Sequence, residues 1–105
     1  MSEHQAKYQI GEVVHHNLFG YLGLIFDVDP TFNGTDEWYE QVARSRPPKD
    51  EPWHHVLVDQ ADHTTYVAEQ NLQTSAEPQA IRHRLTEHFF DHFDGERYSL
   101  RDRMN

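Results

Sequence analysis

There is no cysteine among the 105 residues. The chain therefore has no disulfide framework, no thiolate zinc site and no cysteine nucleophile, and this composition fits a reducing compartment. Long hydrophobic runs are missing too. The longest apolar stretch, about Tyr21 to Phe26, falls far short of the roughly 20 residues that span a bilayer. The leading MSEHQAKYQIGEVV has no apolar region of the secretory kind. The expectation is a soluble, cytoplasmic protein that does not engage a membrane. Basic residues are scarce, with nine Lys and Arg against eighteen Asp and Glu and a formal net charge of -9. Tight binding to a phosphate backbone needs clustered cations, so this balance favours basic or apolar partners instead. Catalytic signatures are also absent: no G-x-S-x-G, no P-loop, no G-x-G-x-x-G and no H-E-x-x-H. Ser2, Ser45, Ser75 and Ser99 stand in polar, loop-like contexts. Nothing groups a nucleophile, a base and an oxyanion donor. No catalytic residue, cofactor or metal ligand is assigned, and a non-enzymatic binding module is the expected class.

Histidine is what the chain has in quantity. There are nine, including the adjacent pairs His15–His16 and His54–His55. Protonating all of them would raise the formal charge from -9 to about 0. Free histidine titrates near pH ~6.5, so solubility or assembly should change between about pH 7 and 5. Neighbours in a strand point to opposite faces, so neither adjacent pair can easily share one ion. A metal would need one histidine from each pair, such as His15 with His55, across paired strands. His88 and His92 stand at i and i+4 of an expected helix, but without the glutamate of a metalloprotease motif. They read more simply as cations near a helix C-terminus. Asp27 and Asp29 share a strand face and could form a carboxylate pair. The simpler reading is that Asp29 starts a turn with Pro30.

The length fits one domain with one core. Strand-like pieces are expected at 12–16, 21–28, 54–59 and 64–68. Asn17-Leu18-Phe19-Gly20 joins the first two as a hairpin. Gly23 signals a bulge or a close backbone approach, and Leu72 closes the core. Trp53 is expected in the core. Between the second and third strands lies a long inserted loop, 31–52. It should hold a short helix capped by Thr35, with Asp36, Glu37 and Glu40 near its positive end, and then a stiff Pro47-Pro48 segment. A C-terminal helix is expected over about 77–92. Ser75 would be its N-cap and Gly95 its stop, and Ile81, Leu85, Phe89 and Phe93 would form one apolar stripe. The polar tail, 95–105, should be mobile unless docked. The whole reads as one mainly β domain with a barrel core at about 11–72. Its open strand edges make a homo-oligomer expected.

Three blocks carry a resemblance. They are GEVVHHNLFGYLGLIFDVDP (11–30), EWYEQVARSRPPKDEPWHHVLVD (37–59) and TYVAEQNL (65–72). The first holds His16, Gly20, Tyr21 and Gly23, then Asp27, Asp29 and Pro30. In this order the blocks resemble the heat-shock-induced HspQ family, also described as YccV-like or hemimethylated DNA-binding domain proteins. The resemblance implies a small SH3-like barrel of bent antiparallel strands. It implies a stress protein of the bacterial cytoplasm, not an enzyme. Such a protein promotes degradation of denatured or unstable proteins, and is both a specificity-enhancing factor and a substrate of the ATP-dependent protease Lon. The alternative implied function is recognition of hemimethylated DNA at the replication origin.

Candidate interaction residues are His16, Tyr21, Trp38, Tyr39, Trp53, His55 and Phe90, with Arg97, Arg101 and Arg103 in the tail. Candidate DNA contacts are Arg44, Arg46 and Lys49 on the long loop and Arg82 and Arg84 on the expected helix. Such a set would make roughly three to five phosphate contacts, giving weak, salt-sensitive binding.

Overall fold

The computed structural model describes residues 6–43 and 45–101. Its centre is a five-stranded antiparallel sheet built from β1 (Val13–His16), β2 (Leu22–Asp29), β3 (Trp53–Val58), β4 (Thr64–Ala68) and β5 (Leu72–Thr74). The spatial order is β4-β3-β2-β1-β5. A 3-10 turn, Glu69–Asn71, leads from β4 into β5, which returns to the far side of β1. This is a mainly β, SH3-like fold. Its edges, β4 and β5, are not hydrogen-bonded to each other, so the barrel stays open on one side.

Bending comes from two devices in β2. At Gly23 the partner strand passes so close that a Cβ would overlap Val56 Cγ1. Only glycine admits that approach. Two residues on, the β2–β3 register slips between Ile25 and Asp27, leaving Phe26 as an extra residue. A one-residue slip moves later side chains to the opposite face. Strict alternation would keep Val28 with Leu24 and Phe26. The bulge instead packs Val28 with Ile25, while Leu22 and Phe26 stay with Leu24. It also turns Asp27 and Asp29 away from the Ile25 face.

Both faces of the central strands are buried. Inside the barrel lie Tyr8, Val14, Ile25, Val56, Val67 and Leu72. The opposite face carries Val13, Leu24 and Leu57, covered by Ile81, Phe90 and Tyr98. A third cluster joins Tyr39, Trp53 and Ala68, with Phe32, Trp38 and Tyr66 against it. Trp53 is a core residue, as expected, and Leu72 closes the barrel interior.

The C-terminal region departs from the expected long helix over 77–92. Only Thr86–Phe89 is helical (α2), and Phe90–Phe93 is a strand, β6, paired antiparallel with β7, Tyr98–Leu100. The backbone before α2 finds tertiary partners. Ile81 N donates to the Tyr98 hydroxyl at 2.7 Å and Arg82 N to Asp59 Oδ1 at 2.7 Å, while Arg82 O accepts from Gln60 N at 2.8 Å. Amides held this way do not build an i→i−4 ladder. Ile81, Leu85, Phe89 and Phe93 do meet on one side, so their spacing reported burial and not helix. Ser75 is no cap; it is buried, and its amide donates to Val13 O. Gly95 (φ +101) sits in the β6–β7 turn. Asp94 closes that turn, its Oδ1 accepting from Glu96 N and Arg97 N at 2.9 Å each. Those amides hold the Asp94 carboxyl below its ordinary pKa. The expected mobile tail is therefore docked as far as it is described: Tyr98 is buried, and its amide donates to Gly11 O at 2.8 Å.

The inserted loop behaves as read. Thr35 Oγ1 accepts from Trp38 N at 3.1 Å and caps α1, Asp36–Val42, with Asp36 and Glu37 in its first turn. The Pro47-Pro48 segment is pinned by two aromatics. Tyr39 donates its hydroxyl to Pro47 O at 2.7 Å, and Trp53 Nε1 donates to Pro48 O at 3.0 Å. No helix among the described residues is long and apolar enough to cross a membrane.

Candidate functional site

The hairpin Asn17-Leu18-Phe19-Gly20 is built on one imidazole. His16 is buried at the end of β1, and its Nδ1 accepts from Leu18 N at 3.1 Å and Phe19 N at 3.2 Å. Gly20 (φ +75) donates its amide back to His16 O. The imidazole stacks on Phe19 at 4.7 Å and lies 5.0 Å from the Tyr21 ring. Accepting at Nδ1 requires the ring to be unprotonated there. Burial, with His15 beside it, holds the His16 pKa below its ordinary value. The tip is thus fixed with two large apolar side chains outward: Leu18 is 61% and Phe19 76% exposed.

Across from the tip stands α1, presenting Trp38 and the exposed Val42. Between them is a groove of about 350 Å³, lined also by Tyr21, Pro47, Trp53, His55 and every residue of β4. Tyr21 ties the tip to β4 through a 2.7 Å hydrogen bond between its hydroxyl and Thr65 Oγ1. Burial pushes the Tyr21 phenol pKa up. Among the described residues no Asp, Glu, Lys or Arg lines the groove. In a chain of net charge -9 that described lining is aromatic and free of formal charge, and it runs beside the unpaired β4 edge.

Beside it is a polar network. Asp29 does more than start a turn: its Oδ2 accepts from the Tyr66 hydroxyl at 2.6 Å and is bonded to His55 Nε2 at 3.1 Å. Desolvation and this carboxylate push the Tyr66 pKa well up. The bulge at Phe26 sets Asp27 opposite His55, so Asp27, Asp29 and His55 offer ligand atoms within 4.8 Å of one another. Among the described residues this is the one grouping that could hold a metal ion. It would first have to give up the His55–Asp29 hydrogen bond. His15 and His55 do not face each other, since β2 lies between their strands. His88 and His92 fall in different elements, α2 and β6.

The other proposed residues divide clearly. His16, Tyr21, Trp38, Trp53 and His55 converge on the groove. Trp53, only 1% exposed, forms its back wall and not a contact surface. Tyr39 is buried on the inner face of α1, and Phe90 is buried at 2% exposure on the opposite face of the sheet. Neither is available to a partner. The candidate cations on the loop and tail are mostly neutralised. Arg46 pairs with Glu40 at 2.9 Å, Lys49 with Asp36 at 3.2 Å, Arg97 with Glu12 at 3.7 Å and Arg101 with Asp91 at 3.3 Å. Lys49 also sits 4.3 Å over the Tyr39 ring. Arg82 and Arg84 are exposed and carry no carboxylate partner among the described residues. Arg44 and Arg103 lie outside the described residues.

Leu18, Phe19, Val42 and the β4 edge were not singled out by sequence. One signal was present: Leu-Phe at a hairpin tip, where polar turn formers are the rule.

A family model described as "Hemimethylated DNA-binding protein YccV like" matches residues 6–97, which span the open barrel, the inserted helix, the groove and the C-terminal segment through β6 and the turn after it. The chain belongs to the YccV-like family.

Proposed function

We propose that this protein is a non-enzymatic adaptor of proteolysis in the bacterial cytoplasm. It brings denatured or unstable proteins to the ATP-dependent protease Lon and is itself a Lon substrate. The observation that carries the reading is the aromatic groove between the Leu18–Phe19 tip, α1 and β4, whose described lining holds no Asp, Glu, Lys or Arg. Exposed apolar walls of this kind mark interaction sites. Unstable proteins differ from folded ones chiefly in exposing apolar segments, which such a groove would accept. Acceleration then comes from raised effective concentration near the protease and not from chemistry on the client.

The test is a degradation time course. An unstable client is incubated with Lon from the same organism and ATP, with and without this protein, and with the Phe19→Ser and Val42→Ser variants. Faster client loss with the native chain, abolished in both variants, supports the reading. An unchanged rate across several clients removes it.

A second reading, binding of hemimethylated DNA, is favoured by the family description and by the exposed Arg82 and Arg84. With Arg46 and Lys49 paired to carboxylates, such binding would be weak, and roughly two phosphate contacts would give a log–log salt slope of only about -2. Equal affinity for methylated, hemimethylated and unmethylated duplexes, or no loss in Arg82→Ala with Arg84→Ala, would exclude it.

A further inference from the structure

All five residues of β4, Thr64 to Ala68, border the groove. Side chains along a strand alternate between faces. A cavity touching five in succession therefore runs along the strand's edge, not over one face. That edge is unpaired, because β4 bonds only to β3 within the sheet.

The phase of the β3–β4 ladder says which backbone groups are free. Val58 N donates to His63 O, and Glu69 N donates to Pro52 O. These bonds flank the registered pairs that run from Leu57↔Thr64 to Trp53↔Ala68. In an antiparallel ladder bonded and non-bonded pairs alternate. Val56–Thr65 and His54–Val67 are then the bonded pairs. Leu57–Thr64 and His55–Tyr66 are non-bonded. The N–H and C=O of Thr64 and Tyr66 consequently point away from β3, along the groove, and no described residue hydrogen-bonds them.

From this geometry we infer that the groove binds an extended, uncharged polypeptide segment as an added strand on β4, hydrogen-bonded to the backbone of Thr64 and Tyr66. The inference rests on the adaptor reading and names what the site recognises. Backbone pairing supplies affinity without regard to sequence, and flanking pockets select side chains. The flanks are apolar: Leu18 and Phe19 on one side, Trp38 and Val42 on the other. Among the described residues the lining carries no Asp, Glu, Lys or Arg that would hold an acidic or basic segment. The edge of a second folded barrel would have to pass the hairpin tip and α1 to reach β4. The segment recognised is thus one that has lost its own sheet partners, the state of an unfolding protein.

Amide exchange by NMR tests this, with an eight-residue peptide of alternating valine and threonine as probe. On addition of the peptide, the Thr64 and Tyr66 amides slow at least tenfold, while Thr65 and Val67, already bonded to β3, do not change. The same peptide with every amide N-methylated cannot pair and does not bind. Thr64→Pro removes one outward N–H without touching the ladder, since proline is tolerated on an edge. It lowers affinity about fivefold, the worth of one net hydrogen bond. Binding without protection of Thr64 and Tyr66, equal binding of the N-methylated peptide, or no binding overturns the inference. Protection already present without peptide and lost on dilution also overturns it, because the edge is then covered by a second copy. Strand addition without faster client degradation leaves this site standing and removes the adaptor reading. Faster degradation without strand addition does the reverse.

Discussion

Two segments lie outside the sheet, and they cover it in opposite ways. The C-terminal segment lays Ile81, Phe90 and Tyr98 flat on Leu24 and Leu57 and seals that face. The insertion between β2 and β3 buries Tyr39 against Trp53 but holds Trp38 and Val42 apart from the Leu18–Phe19 tip, leaving a groove. Both segments are rich in aromatic residues. The difference lies in what anchors them. The C-terminal segment is bonded to the rest of the chain along its length, at Arg82 to Asp59 and Gln60, at His83 to His63 and at Tyr98 to Gly11. The insertion is tied to the rest of the chain on either side of α1, at Asn33 to Tyr66, Ser45 to Asn71 and Pro48 to Trp53, and the helix between these ties stands out as a wall. Apolar surface closed on all sides stabilises the fold. Apolar surface held open at fixed spacing is available for recognition.

The sharpest way to break this contrast is to empty the sealed side. Phe90→Ala should cost about 3–5 kcal/mol, the usual loss for a buried phenylalanine, read as a lower midpoint in urea unfolding. A loss no larger than a surface substitution would mean that the C-terminal hairpin is not part of the core. Next comes the crossing under both segments. Gly23→Ala places a methyl against Val56 and should cost about 1–3 kcal/mol by overpacking, again measured by urea unfolding.

Acid separates the two regions differently. Burial lowers the pKa of His54 in the barrel interior and of His16 at the groove wall below the ordinary 6.5. For His54, its bond to Val67 O opposes that shift without reversing it. The folded state thus binds fewer protons than the unfolded state below pH ~6.5. The stability these groups contribute is complete above 6.5 and is lost as pH falls from there toward their folded values. The expected slope is up to about 1.4 kcal/mol per pH unit for each histidine. Unfolding free energies measured from pH 7.5 to 5 should fall, and less so in His54→Gln. A flat profile would mean that both rings find proton acceptors in the folded state. His54 has a specific liability here: its Nε2 is buried and makes no hydrogen bond of good geometry among the described residues.

The smallest stability effect should come from the open side. Phe19→Ser alters a side chain that is 76% exposed, so the expected change is within about 0.5 kcal/mol. Client degradation should nevertheless lose its acceleration. A large loss of stability would instead make the hairpin tip part of the core and undo the contrast.

Much of the sheet was legible in the chain. Val and Ile alternation, the Gly20 turn and Pro30 placed all four main strands within a residue or two, and Thr35 marked α1 correctly. These signals are local, so they survive without knowledge of partners. The C-terminal region failed for the opposite reason. An i, i+4 stripe such as Ile81–Leu85–Phe89 reports only that those residues share a side. Whether helix or irregular chain delivers them depended on Asp59 and Tyr98, which capture the Arg82 and Ile81 amides from 23 and 17 residues away. The site divides in the same way. His16, Tyr21, Trp38, Trp53 and His55 were named from sequence, but their convergence was not. Phe90 and Tyr39 looked equally suitable and are buried.

Composition, turn residues and motif order are properties of the chain alone, and they suffice to specify a cysteine-free, acidic, mainly β domain of the YccV-like family with a capped insertion and no recognisable catalytic motif. Which aromatics are covered, that a bulge at Phe26 brings Asp27, Asp29 and His55 together, and that β4 leaves its edge open to the groove are set by the folded chain. Those outcomes depend on strand register and on contacts between distant segments, and neither is written in any local stretch of residues.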